Sequence, residues 1–231
     1  MPKAPKGGRS GPPIYRRRPF LMTMATFVLS SLTRQALAGA EEETGEVQPS
    51  AAKHGLLFVG SSSIRLWQVT TYFPSLPCTN VGVGGFHISD VNHALGRLVF
   101  PHEPKVIVFY AGDNDIAAGK TPGQVLTSYR EFVHRVRGQL PDARIVFISI
   151  KPSVLRRALW GKMRQANRMI EQFCRSDERL AYADVATPML DGVGSPRRDL
   201  FAPDGLHLNG EGYRLWTGVI SPIVERAYNE P

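Results

Sequence analysis

Four short polar blocks carry residue types and spacings that could do chemistry. "GSSS" (Gly60–Ser63) ends one apolar run, and "NVGVGG" (Asn80–Gly85) ends another. "GDND" (Gly112–Asp115) follows a third apolar run, and "DGLH" (Asp204–His207) precedes the last helical segment. A serine at a strand-to-helix turn, Ser62 above all, sits beside unpaired backbone N–H groups and a positive helix end. It could attack a carbonyl, or one of Ser61, Ser62 and Ser63 could simply cap the helix. A glycine of the second block could supply positive φ in a tight turn or aim its N–H at an oxyanion. Asp113, Asn114 and Asp115 fit an Asx-rich turn, or a loop that faces a ligand. Asp204, three residues before His207, could accept from imidazole Nδ1 and leave Nε2 free as a base.

Competing motifs fail on particular residues. The G-x-S-x-G nucleophile elbow would need glycine where Ile64 stands. The G-x-G-x-x-G dinucleotide fingerprint, begun by Gly82 and Gly84, meets His87 at its third glycine. Asp113 and Asp115 have no His or further carboxylate at matching spacing, so no metal is expected. The segment Arg156–Arg164 reads as a solvated helix face, with an anionic substrate as the alternative.

Something must hold these blocks together. Apolar runs at Gly55–Gly60, about Thr79–Val81, Lys105–Gly112, Ala143–Ile150 and Leu180–Val185 read as strands, several covered on both faces. Helical periodicity marks Ser62–Phe73, Ile88–Phe100 (capped by Ser89 or Asp90), Thr121–Leu140, Leu155–Ser176 and Gly210–Tyr228. Strands separated by crossover helices imply a parallel sheet in a three-layer α/β/α sandwich. Ligands in such sheets bind at the carboxyl ends of the strands, where the polar blocks fall. Phe86, Trp67, Trp160 and Phe201 could line a pocket there, or pack in the core.

The order of the four blocks resembles the SGNH hydrolases, the GDSL-type esterase/lipase family, over residues 55–228. Gly60–Ser62 is similar to that family's G-D-S, Gly85 falls at its second-block glycine, Asn114 at its G-x-N-D asparagine, and Asp204 and His207 at its D-x-x-H pair. Ser61 departs from the family pattern, which has Asp there. The resemblance implies a flavodoxin-like fold with a five-stranded parallel sheet. It implies Ser62, His207 and Asp204 as a catalytic triad, and Ser62, Gly85 and Asn114 as an oxyanion hole, with no cofactor. The implied activity is hydrolysis of carboxylic esters, on a small-molecule, carbohydrate or lipid ester. Transfer of acyl groups, lysophospholipase or thioesterase action, and a non-catalytic envelope binding protein are the alternatives.

Charge and termini bound the setting. The 231 residues carry 28 Lys and Arg against 20 Asp and Glu, a net charge of +8. Seven of the basic residues lie in residues 1–40, which hold no acid, so the remainder is nearly neutral and nucleic acid is not an expected partner. Residues 1–40 run basic, apolar, then small, the plan of an export signal, and Arg17-Arg18-Pro19-Phe20-Leu21 resembles a twin-arginine signal. The apolar run is shorter than the roughly 20 residues that span a bilayer, so cleavage without stable membrane insertion is expected. Residues 41–53 read as a linker and 54–231 as the hydrolase domain, periplasmic or secreted. Cys78 and Cys174 would then meet an oxidising compartment, where a disulfide is permitted but two free thiols are equally compatible.

Overall fold

Five parallel strands form one sheet: β1 (Leu56–Gly60), β2 (Cys78–Asn80), β3 (Val106–Tyr110), β4 (Arg144–Ile148) and β5 (Leu180–Ala183). Their spatial order is β2-β1-β3-β4-β5, the flavodoxin-like order, which reverses direction between β1 and β3. The computed structural model describes residues 53–230; the expected export signal, and the linker up to residue 52, lie outside the described residues.

Alternate side chains of each strand feed two cores. Leu57, Val59, Ile107, Phe109, Ile145 and Phe147 face one way, against α3 (Ile88–His93), α6 (Pro122–Gln139) and α7 (Trp160–Cys174). Leu56, Phe58, Val106, Val108, Val146 and Ile148 face the other, against α8 (Gly210–Asn229) and the aromatic side chains Trp67 and Phe73. All residues of β1 and β3 are buried, which is why their sequences are continuous apolar runs rather than alternating ones. Each such side chain contributes about 1.5–3 kcal/mol by burial, enough to fix the register that sets the strand ends level.

The long crossover helix follows its sequence signals. Thr121 caps α6: its Oγ1 accepts from Gln124 N–H at 3.3 Å, and Gln124 Oε1 accepts from Thr121 N–H at 2.8 Å. Asn209 caps α8 by accepting from Gly212 N–H at 3.1 Å.

Three expected helices are shorter or broken. Ser62–Phe73 is two single turns, α1 (Ser62–Arg65) and α2 (Val69–Tyr72). The Asn80 amide donates to the carbonyls of Ile64 (2.7 Å) and Trp67 (2.9 Å), and Trp67 turns into the core, so the helix does not continue. Ile88–Phe100 divides into α3 and α4 (Leu95–Leu98) at Ala94, whose φ of −95° and ψ of 6° leave the helical region. His87, not Ser89 or Asp90, stands at the N-cap of α3; Asp90 sits one turn in and accepts from His87 N–H at 2.8 Å. Helix α7 begins only at Trp160, because residues 151–156 are held by contacts near the site described below. A further short helix, α5 (Asp113–Ala117), starts where β3 ends.

Both cysteines are free; Cys174 is buried in one core with its Sγ 3.9 Å from Tyr129 Oη, while Cys78 lies half-buried and packs against the other. Among the described residues, no helix is long and apolar enough to cross a membrane.

Candidate active site

The carboxyl ends of β1 and β3 are neighbours at the point where the sheet order reverses. Gly60 ends β1 with a φ of +147°, and a Cβ there would fall 1.8 Å from the Tyr110 carbonyl oxygen, so no side chain fits. Ser61 N–H donates to that same carbonyl at 3.0 Å, and the chain then turns into α1.

This turn separates the three serines. Ser61 and Ser63 are buried, whereas Ser62 is half-buried. Ser62 Oγ lies 3.0 Å from His207 Nε2. His207 Nδ1 lies 2.6 Å from Asp204 Oδ2, and Asp204 Oδ1 accepts from Leu206 N–H (2.9 Å) and His207 N–H (3.0 Å). The Leu206 N–H bond, the imidazole bond and the His207 N–H bond together hold the Asp204 carboxyl down at about 2. Asp204 is therefore ionised at neutral pH and fixes the tautomer with the proton on Nδ1. The lone pair of Nε2 then faces the Ser62 hydroxyl.

Neighbouring elements hold both partners. Ala202 N–H donates to the His207 carbonyl at 2.9 Å, and the Asn209 amide donates to the carbonyls of Asp199 (2.7 Å) and Phe201 (3.2 Å). Tyr213, on the first turn of α8, donates its hydroxyl to the Ser63 carbonyl at 3.0 Å and stacks on Trp67. The last helix is thus tied directly to the serine turn.

The second block packs beside the serine turn, Val83 N–H donating to the Gly60 carbonyl at 2.9 Å, and the third is tied to the second through Asn114 and Phe86. Gly85 has a φ of +80°, the left-handed turn its sequence suggested. Asn80 fixes that loop from its start: Oδ1 accepts from Gly82 N–H at 2.9 Å while the amide binds α1. Neither Ser62 N–H nor Gly85 N–H has an acceptor among the described residues. Asn114 donates one amide hydrogen to the Phe86 carbonyl at 3.1 Å, and the other has no acceptor among the described residues. The positive end of a helix counts for less than the sequence suggested, because α1 has only four residues; the unpaired N–H groups remain.

Each residue of "DND" has its own work. Asp115 is fully buried; its Oδ2 accepts from Ile88 N–H at 3.1 Å and its Oδ1 from Lys120 Nζ at 2.7 Å, so it anchors the segment that follows Gly85. Asp113 lies 3.3 Å from Lys151 Nζ and 3.2 Å from Arg156 Nη1. Burial opposes the Asp113 charge, but the two cations outweigh it and hold the carboxyl below its ordinary value. Burial draws the Lys151 ammonium down, with Asp113 opposing. Arg156 Nη2 also donates to Asn114 Oδ1 at 3.0 Å.

All five site residues named from the sequence thus lie at one end of the sheet, with Ser62, His207 and Asp204 in an unbroken hydrogen-bonded line. The sequence reading missed Lys151, Arg156, Asn80, Asp115 and Tyr213 as their supports. Lys151 did carry a signal: an ionisable residue just past the carboxyl end of a buried strand lies where ligands bind. Of the aromatic residues expected near a pocket, Trp67 and Phe201 are core, while Phe86 and Trp160 are half-exposed beside it. Two grooves, of about 400 and 700 Å³, lie elsewhere, the second at the amino ends of the strands against His54, Pro104, Lys105 and Leu140.

Residues 66–215 match the sequence profile of the GDSL-like Lipase/Acylhydrolase family, a match that takes in Gly85, Asn114, Asp204 and His207 and begins just after Ser62. Solved structures share the fold. A Streptococcus pneumonia protein provisionally named as a platelet activating factor is 19% identical, with a TM-score of 0.70 over 77% of this chain and 86% of its own. A GDSL-like lipase from Bacteroides thetaiotaomicron is 20% identical, with a TM-score of 0.66 over 74% and 88%. A carbohydrate esterase family 3 protein from Talaromyces cellulolyticus is 17% identical, with a TM-score of 0.59 over 77% and 98%. At such identities the likeness shows the fold. Among curated proteins, no sequence matches.

Proposed function

This chain belongs to the GDSL-like lipase/acylhydrolase family, and from that premise we propose that it is a serine-dependent hydrolase of carboxylic esters with short acyl groups, O-acetyl esters among them. The observation that carries the proposal is the line from Ser62 Oγ to His207 Nε2 (3.0 Å) and from His207 Nδ1 to Asp204 (2.6 Å).

In this reading Ser62 Oγ attacks the ester carbonyl as its proton passes to His207 Nε2. Asp204 holds the imidazole and stabilises the imidazolium. Ser62 N–H, Gly85 N–H and the second Asn114 amide hydrogen receive the oxyanion. The imidazolium returns the proton to the departing alcohol oxygen, leaving an acyl-enzyme on Ser62. A water, deprotonated by His207, attacks that acyl carbon; the carboxylic acid departs and Ser62 regains its proton.

Exposure of Gly84 and Gly85 supports an open acyl site. Val154 and Leu155 are also exposed, and Leu155 N–H donates to the Gly205 carbonyl, so apolar surface flanks the Asp204–His207 loop. An exposed, partly apolar surface suits a small acyl group on a larger alcohol, and the likeness to a carbohydrate esterase agrees with that. The signal-like residues 1–40 support action outside the cytoplasm, as a periplasmic or secreted enzyme. Mature protein is expected to hydrolyse p-nitrophenyl acetate faster than long-chain esters, and Ser62→Ala to abolish turnover. Full activity in Ser62→Ala would end the nucleophile assignment, and a preference for long chains would end the short-acyl one.

A further inference from the structure

Arg156 touches both the buried acid of the third block and the amide that completes the oxyanion hole. Its Nη1 is 3.2 Å from Asp113 Oδ2, and its Nη2 donates to Asn114 Oδ1 at 3.0 Å. Its side chain is only 18% exposed. Nη2 is taken by Asn114, while Nη1 is buried at ion-pair distance from Asp113 without a hydrogen-bond partner among the described residues, so neither end of the guanidinium fork is well placed to meet a substrate anion. The backbone around it is also held: Arg156 N–H donates to Ser153 Oγ at 3.2 Å, and Leu155 N–H to Gly205 O at 3.0 Å.

An asparagine amide has two orientations of nearly equal shape, and only one presents N–H to a developing oxyanion. In the observed orientation, Oδ1 accepts from Arg156 and Nδ2 donates to the Phe86 carbonyl. Flipping the amide would set NH2 against the guanidinium and carbonyl against carbonyl, losing both bonds. The Phe86 bond is neutral, whereas the Arg156 bond is charge-assisted and the stronger of the two.

We propose that Arg156 is a positioning residue of the oxyanion hole: its guanidinium, anchored on Asp113, locks the Asn114 amide with one N–H toward the reacting carbonyl. The inference rests on the reading of Asn114 as an oxyanion donor. Lys151 completes the device from beneath, since its ammonium, 3.3 Å from Asp113, helps keep that anchor ionised. Arginine suits the task because its planar fork reaches acid and amide together, which a lysine ammonium on one point charge cannot.

The test is steady-state kinetics on p-nitrophenyl acetate with Arg156→Met, Arg156→Lys, Asn114→Ala and the double variant Arg156→Met/Asn114→Ala, beside Ser62→Ala. Removing one oxyanion donor costs on the order of 10²–10³ in kcat, so Asn114→Ala should fall in that range and Arg156→Met about 10–100-fold below wild type, with KM nearly unchanged. Because Arg156 acts through Asn114, the double variant should be no slower than Asn114→Ala by more than about twofold. Arg156→Lys should recover only part of the loss, and it serves as the probe should Arg156→Met fail to fold. A purely structural role would instead multiply the two losses in the double variant, and that additivity would overturn the proposal. So would wild-type kcat in Arg156→Lys together with Arg156→Met, or a loss confined to the KM of anionic esters. If Ser62→Ala remains active, the hydrolase reading itself fails; an inactive Ser62→Ala beside unaffected Arg156 variants removes only this inference.

Discussion

Replacing Asp204 by asparagine isolates the electronic part of the site from its scaffold. Asparagine Oδ1 can still accept from Leu206 N–H and His207 N–H, so the loop keeps the two bonds that shape it. The other carboxylate oxygen, 2.6 Å from His207 Nδ1, becomes an NH2 donor. Nδ1 must then act as acceptor, and the proton moves to Nε2, where it faces Ser62 Oγ instead of receiving from it. For a buried triad carboxylate the same change lowers kcat by about 10⁴. Here the Asp204 side chain is 47% exposed, so water can take over part of the stabilisation of the imidazolium. The expected loss is therefore smaller, about 10²–10³ in kcat, with KM nearly unchanged. Initial rates on p-nitrophenyl acetate, with circular dichroism to establish an unchanged fold, make the measurement. A folded Asp204→Asn protein within threefold of wild-type kcat would refute the assignment of Asp204 as the orienting group.

Three further outcomes follow from the geometry. Lys151→Met leaves Asp113 buried with one cation instead of two, and should lower the unfolding free energy by about 2–4 kcal/mol in urea titration. Gly60→Ala places a Cβ against the Tyr110 carbonyl at a φ that alanine avoids, and should cost about 3 kcal/mol or more, seen as a large fall in melting temperature or loss of soluble protein. The Asp204 carboxyl is held lower in the folded chain than in the unfolded one, so its contribution to stability is complete above the ordinary carboxylate value and fades as pH falls from about 4 to about 2. Asp204→Asn should accordingly lose less stability than wild type across that interval, as followed by urea midpoints.

The sheet was legible because its strands are buried on both faces: "LLFVG" and "VIVFY" leave little alternative to a covered parallel sheet. The four chemical blocks were legible because each is local, with its spacing set by one turn. What the sequence concealed depends on partners far along the chain. Arg156 stands in a basic stretch that reads as a solvated face, yet Asp113, 43 positions earlier, draws it inward. Asn80 reads as a turn residue, but its amide ends a helix that periodicity would have continued through Trp67. Ser62 could not be told from a helix cap by its own neighbours; His207, distant in sequence, distinguishes it from Ser61 and Ser63.

The most direct test of the central claim is to treat the protein with a fluorophosphonate and locate the adduct by peptide mass spectrometry. The account predicts one stoichiometric adduct, on Ser62, with none in Ser62→Ala and slower labelling in Asp204→Asn. An adduct on Ser61 or Ser63, or no adduct on protein that still hydrolyses p-nitrophenyl acetate, would contradict it.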